Sequence, residues 1–120
     1  IVEGQGSLFH PSYAGVSMGL MHGAQPHWLV MCHEMGRPHM RHLPHQPMVS
    51  LKDCVEANLR AARVTSESVQ LAGFAINTSN YTEEDARAYC AEICAEFGLP
   101  ATDPVRFGID DIAALLQERG

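Results

Sequence analysis

The sequence predicts an α/β layer fold built on a parallel sheet. Two short apolar runs, Trp28–Cys32 (WLVMC) and Val69–Ile76 (VQLAGFAI), end at the polar groups His33-Glu34 and Asn77-Thr78-Ser79-Asn80. Strands buried on both faces look like this. Stretches with helical spacing separate and follow them, and that alternation marks a parallel sheet with helical crossovers. With 120 residues and 46 % apolar content, the chain is long and apolar enough for one domain with its own core.

The elements follow in order. Ile1-Val2 reads as the tail of a strand and Glu3-Gly4-Gln5-Gly6 as the loop after it. A strand of two residues is too short for a parallel sheet, where about 5 is typical. The expectation is therefore a fragment lacking the first strands of its sheet. A helix over Tyr13–His22 holds Gly15 and Gly19. Each glycine weakens it by about 1 kcal/mol relative to alanine, a cost usually met where close packing on a sheet or ligand is needed. After the Trp28 strand comes a proline-broken loop from Arg37 to Pro47. Ser50 with Asp53 resembles a capping box opening a helix to about Arg63, expected to bury Leu51, Cys54, Val55 and Leu59. Thr82, followed by Glu83, Glu84 and Asp85, places a cap and three acids at the positive end of the next helix. That helix turns Ala86, Tyr89, Cys90, Ile93, Cys94 and Phe97 to one side and stops at Gly98. A loop follows, and a last helix covers Ile109–Gln117.

Composition removes several functions. There are 14 acidic residues against 8 basic ones, a formal charge of -6, and no Lys/Arg stripe, so nucleic acid is not an expected partner. No apolar run approaches the roughly 20 residues that span a bilayer, so no membrane is expected either. The first residues carry no basic, signal-like region. Cys32, Cys54, Cys90 and Cys94 form no C-x-x-C pair, which fits reduced thiols and a cytoplasmic location.

Four groups of residues can do chemistry. Glu3-Gly4-Gln5-Gly6-Ser7, followed by His10, Ser12 and Tyr13, stands where a strand tip meets a loop, the place where open parallel sheets bind ligands. Glu3 there can hold Mg²⁺ or act as a base, and the glycines let backbone N–H groups approach an anion. The same residues also make a plain glycine turn with a capping Glu. His33 and Glu34, with Arg37 nearby, end the second strand. His33 can be a base or an anion donor, or a histidine settled at a sheet edge. His39, His42 and His45 lie three apart, but Pro44 and Pro47 prevent a helix from displaying them together, and no second ligand cluster completes a metal site. Asn77 can pair with adenine's N6/N7 edge, and Arg106 can grip a phosphate or carboxylate. Alternatively Asn77 caps a turn, while Asp103 and Arg106 hold a loop together.

Three separated stretches resemble one bacterial and archaeal family: IVEGQGSLFHPSYAGV at 1–16, LVMCHE at 29–34 and GLPATDPVRFG at 98–108. It is the DgcN-type D-glutamate N-acetyltransferase family, long labelled a domain of unknown function, with a Rossmann-like N-terminal domain and a P-loop-type C-terminal domain. Asn77-Thr78-Ser79 and the acidic helix start at Thr82 also fit. The resemblance implies a three-layer α/β parallel sheet, a partial P-loop NTPase-like domain lacking its phosphate-loop half. Residues 1–120 would then be the C-terminal portion of that domain. It implies acyl transfer from acetyl-CoA to the amine of a D-amino acid, with Glu3 and His33 catalytic. Gly4, Gln5, Gly6, Ser7, Asn77, Asp103 and Arg106 would bind the cofactor, and His10, Ser12, Tyr13, Glu34 and Arg37 the substrate. No G-x-x-x-x-G-K-[ST] occurs in the chain, so phosphate binding would be incomplete here and the isolated segment is expected to be inactive. The likeness in order to dethiobiotin synthetase-like enzymes points to an ATP- and Mg²⁺-dependent ligase or kinase as the alternative. A non-catalytic nucleotide-binding or assembly domain is the third reading. A half sheet would expose an edge and an apolar face, so the expected macromolecular partners are the missing N-terminal part and further copies in a homo-oligomer.

Overall fold

The computed structural model describes residues 1–4, 7–40 and 42–119. Its elements are α1 (Ala14–Ala24), β1 (Trp28–Glu34), β2 (His39–Met40), β3 (Leu43–Pro47), α2 (Leu51–Ala62), β4 (Gln70–Asn77), α3 (Glu83–Phe97), β5 (Ala101–Thr102), α4 (Pro104–Phe107) and α5 (Asp110–Arg119). A three-stranded sheet has the order β1-β4-β5, and β2 and β3 form a separate pair. β4 and β5 are parallel, with Phe74 opposite Ala101 and Ala75 opposite Thr102. β1 and β4 advance together as well: Gln70 donates to the His27 carbonyl at one end and Met35 to the Asn77 carbonyl at the other, at 3.1 and 3.0 Å. The predicted α/β fold with a parallel sheet flanked by helices is the one observed.

The chain forms two compact units, Ile1–Leu29 with Arg37–Leu71, and Val30–Gly36 with Ala72–Gly120. In the second unit the core consists of Ala72, Phe74 and Ile76 of β4, Ala86, Cys90 and Ile93 of α3, and Ile112 of α5, all buried. The Phe74 and Phe97 rings meet at 4.8 Å. Near-continuous burial along β4 explains its unbroken apolar run. α3 starts where Thr82 accepts from the Asp85 N–H at 3.1 Å and ends at Gly98, which is left-handed at φ 67°. In the first unit Ser50 caps α2 through the Asp53 N–H at 3.2 Å.

Several expectations need correction. Ile1–Gly4 carry no strand and are exposed; among the described residues no neighbouring strand pairs with them. The stretch expected as a loop contains an antiparallel pair, with Met40 opposite Leu43 and His39 opposite Pro47. His42 makes the tight reversal possible at φ 62°, while prolines are tolerated because, among the described residues, β3 pairs on one side only. Gly15 and Gly19 permit no close approach: a Cβ on either would meet nothing within 4 Å. α2 buries Val55 and Ala62, whereas Leu51, Cys54 and Leu59 are only half-buried. β5 and the single turn α4 replace part of the loop expected after Gly98. None of the four cysteines is in a disulfide.

Candidate functional site

In the second unit, the carboxyl ends of three parallel strands bring His33, Asn77 and Asp103 to the same end of the sheet, the end at which such sheets bind ligands. Asp103 is 4 % exposed. Its Oδ2 accepts from the Thr78 N–H at 3.0 Å and the Thr78 hydroxyl at 2.5 Å. Its Oδ1 accepts from the N–H groups of Val105 and Arg106 at 3.0 and 3.3 Å. A carboxylate has about four lone-pair sites, and protein donors occupy all of them. Burial pushes the Asp103 carboxyl's pKa up, but these hydrogen bonds outweigh it and hold the pKa below its ordinary value. The contacts are those of a residue that joins the tips of β4 and β5 and caps α4. Arg106 likewise secures the loop, donating from Nη2 to the Tyr81 carbonyl at 2.6 Å.

Asn77 is exposed, and its Oδ1 accepts from the Ser79 N–H at 3.0 Å, closing a turn of its own. That turn uses one lone pair of Oδ1 and does not involve the amide NH₂. Tyr81 follows: its N–H donates to the Thr78 carbonyl at 3.0 Å, and its hydroxyl lies where a Cβ on Gly36 would be. Gly36 is left-handed at φ 74°, so both space and backbone favour glycine there.

His33 is half-buried at the end of β1. Its Nε2 lies 2.8 Å from the Tyr89 hydroxyl on α3, and the two rings stack at 6.1 Å with 23° between planes. Burial lowers the His33 pKa, and the neighbouring Glu34 charge only partly opposes it. The imidazole is therefore held neutral at neutral pH, the state in which it accepts a proton. Burial, then Glu92, Cys90, Glu96 and Tyr81, push the Tyr89 phenol up. Tyr81 and Tyr89 were absent from the sequence-based set; a tyrosine within a helical apolar stripe, as Tyr89 is, looks like ordinary core.

The first unit holds the glycine-rich loop. Ser7 accepts from the Phe9 N–H through Oγ at 3.0 Å, and the His10 N–H donates to the Ser7 carbonyl at 3.1 Å. His10 is buried, accepts from the Ser12 N–H at Nδ1 (3.1 Å), and stacks on Tyr13 at 4.4 Å. Its carbonyl accepts from the Tyr13 and Ala14 N–H groups at the start of α1. These contacts order the loop, whereas Ser12, Tyr13 and Glu3 are exposed. A Cβ on Gly4 would come within 3.0 Å of Leu20. Gln5 and Gly6 lie outside the described residues. Arg37 donates from Nε to the His39 carbonyl at 3.1 Å. Among the described residues no three His, Cys, Asp or Glu side chains gather into a group that could hold a metal, His39, His42 and His45 included. No helix among them is long and apolar enough to cross a membrane.

Comparison with known proteins agrees with this architecture. A D-glutamate N-acetyltransferase from a Pseudoalteromonas species is 47 % identical over 116 residues, 97 % of this chain and 35 % of that protein. One from Tritonibacter scottomollicae is 44 % identical over 119 residues, 96 % of this chain and 36 % of that protein. The chain thus spans about a third of the length of these curated relatives. A crystal structure of a DUF1611 family protein from Anabaena variabilis superposes with a TM-score of 0.86 at 37 % identity, over 96 % of this chain and 34 % of that one. Residues 1–113 match the P-loop domain of DUF1611, described as a domain of unknown function (DUF1611_C). With the fold and nearly the whole sequence in agreement, the chain belongs to the DUF1611 family, in its C-terminal P-loop domain.

Proposed function

We propose that this chain is the C-terminal part of an N-acyltransferase that moves an acetyl group from acetyl-CoA to the amine of a D-glutamate-like amino acid. The observation that carries the reading is the pair of relatives, 47 % and 44 % identical, named D-glutamate N-acetyltransferase. The second support is chemical. A free amine must attack the thioester carbonyl, so its ammonium form must first lose a proton to a base. His33, kept neutral by burial, is suited to take it. The amine attacks and the C–N bond forms, its nitrogen gives up a second proton, and the C–S bond breaks. One of the two protons ends on the departing thiolate as the free thiol of CoA, and the other leaves to solvent.

Other residues fill the remaining roles in this reading. Glu3 is a second candidate for the same proton; a Glu3→Gln enzyme with wild-type turnover removes it, whereas a base is worth ~10²-fold or more. Arg106, in the same unit as His33, would meet the amino acid's carboxylates, and Asn77 the adenine of acetyl-CoA.

The family's description as a P-loop domain favours one alternative, an ATP- and Mg²⁺-dependent ligase or kinase. The lysine-bearing phosphate loop such chemistry needs is not within these 120 residues. The residues present do not make a nucleotide phosphate site by themselves. One assay separates the readings. The full-length enzyme containing this domain is given acetyl-CoA, D-glutamate and, in parallel, ATP with Mg²⁺. D-glutamate-dependent release of free CoA with an N-acetylated product is expected. Substrate-dependent ADP without CoA would establish the alternative.

A further inference from the structure

We infer that Tyr89 is the positioning residue of His33: its phenol oxygen accepts the Nε2–H, which fixes the tautomer and leaves Nδ1 as the atom that takes the substrate's proton. This rests on the reading of His33 as the base in acyl transfer. A neutral imidazole has one N–H and one lone pair, and the 2.8 Å contact between Nε2 and the Tyr89 hydroxyl involves one of them. If the phenol donated, Nε2 would be capped and Nδ1 protonated, and no lone pair would face a substrate. If Nε2–H donates, the lone pair lies on Nδ1 and can take the proton.

A base needs the second arrangement, because only that one leaves a lone pair for the substrate's proton. Glu34 adjoins His33 on β1, and Glu92, Cys90 and Glu96 of α3, with Tyr81, act on Tyr89. The carboxylates of Glu92 and Glu96 disfavour loss of the phenol proton, so Tyr89 stands beside the imidazole as a neutral phenol. A neutral phenol keeps oxygen lone pairs with which it can accept the Nε2–H. Stacking of the rings and placement of Tyr89 in the middle of a 15-residue helix hold the acceptor still.

The test uses the full-length enzyme with ¹⁵N-labelled histidine, His33 being assigned by the signal lost in His33→Gln. Long-range ¹H–¹⁵N correlation at pH 8 should show Nε2 protonated and Nδ1 bearing the lone pair. In Tyr89→Phe, which removes only the oxygen, the Nε2 proton should exchange with solvent faster. Its kcat for CoA release should fall about tenfold with KM for acetyl-CoA unchanged, the signature of a misplaced base. An Nδ1–H ring in the wild type, or a Tyr89→Phe enzyme with wild-type kcat, overturns the inference. The tautomer is read without turnover, so an enzyme that acetylates nothing refutes acyl transfer separately from this result.

Discussion

Asp103 shows how one side chain can set the geometry of the strand tips. It is nearly inaccessible, yet the donors of Thr78, Val105 and Arg106 keep its carboxyl's pKa low. A depressed carboxyl contributes stability above its unfolded pKa, about 3.9, and loses it as pH falls through the lower folded value. Asp103→Asn turns an NH₂ group toward an N–H donor, and losing hydrogen bonds to a charged group costs about 1.5–3 kcal/mol. Urea midpoints at pH 7 should show that loss, and the gap between variant and wild type should narrow below pH ~4. His33 shifts in the opposite chemical sense: burial favours its neutral form. The acid limb of kcat/KM should therefore have its midpoint below the ordinary histidine value of 6.5; a midpoint at or above it would argue for another base. Asn77→Ala should weaken acetyl-CoA by ~5- to 150-fold, with no change for a truncated thioester lacking adenosine. Equal weakening of both would leave Asn77 only its turn with Ser79. His33, Asn77 and Asp103 were legible because each directly follows or closes an apolar run or sits before a proline. Tyr89 was not, since its spacing along α3 is that of a core residue.

Between elements, β4, β5 and α5 fit closely at Gly73. A Cβ on Gly73 would lie 2.6 Å from the Pro100 carbonyl oxygen and 3.1 Å from Ile112. Backbone cannot yield there without disturbing the Phe74 N–H bond to that same carbonyl, 2.9 Å long. Gly73→Ala should destabilise by about 1–3 kcal/mol, with Phe74 amide protection falling first in hydrogen exchange; an unchanged urea midpoint would contradict this packing. Helix ends were the most readable elements, because Ser50, Thr82 and Gly98 perform local chemistry that does not depend on tertiary contacts. The β2–β3 pair was hidden by Pro44 and Pro47, which ordinarily argue against strands, and β5 by having only two residues. Gly15 and Gly19 misled in the other direction, since the room they leave in α1 is not filled.

For the molecule as a whole, the family and its parallel α/β sheet are established, and the chain accounts for about a third of the related acetyltransferases. Activity therefore has to be measured in the full-length enzyme. The central claim is that the end of β1 supplies the base for acyl transfer from acetyl-CoA. The most direct measurement is D-glutamate-dependent CoA release by His33→Gln beside wild type, at saturating acetyl-CoA. Glutamine keeps an amide near the position of Nε2 and can still bond Tyr89, so the fold is preserved while the base is removed. The account predicts a fall in kcat of ~10²-fold or more, the usual contribution of a general base. A His33→Gln enzyme that releases CoA at the wild-type rate would contradict it.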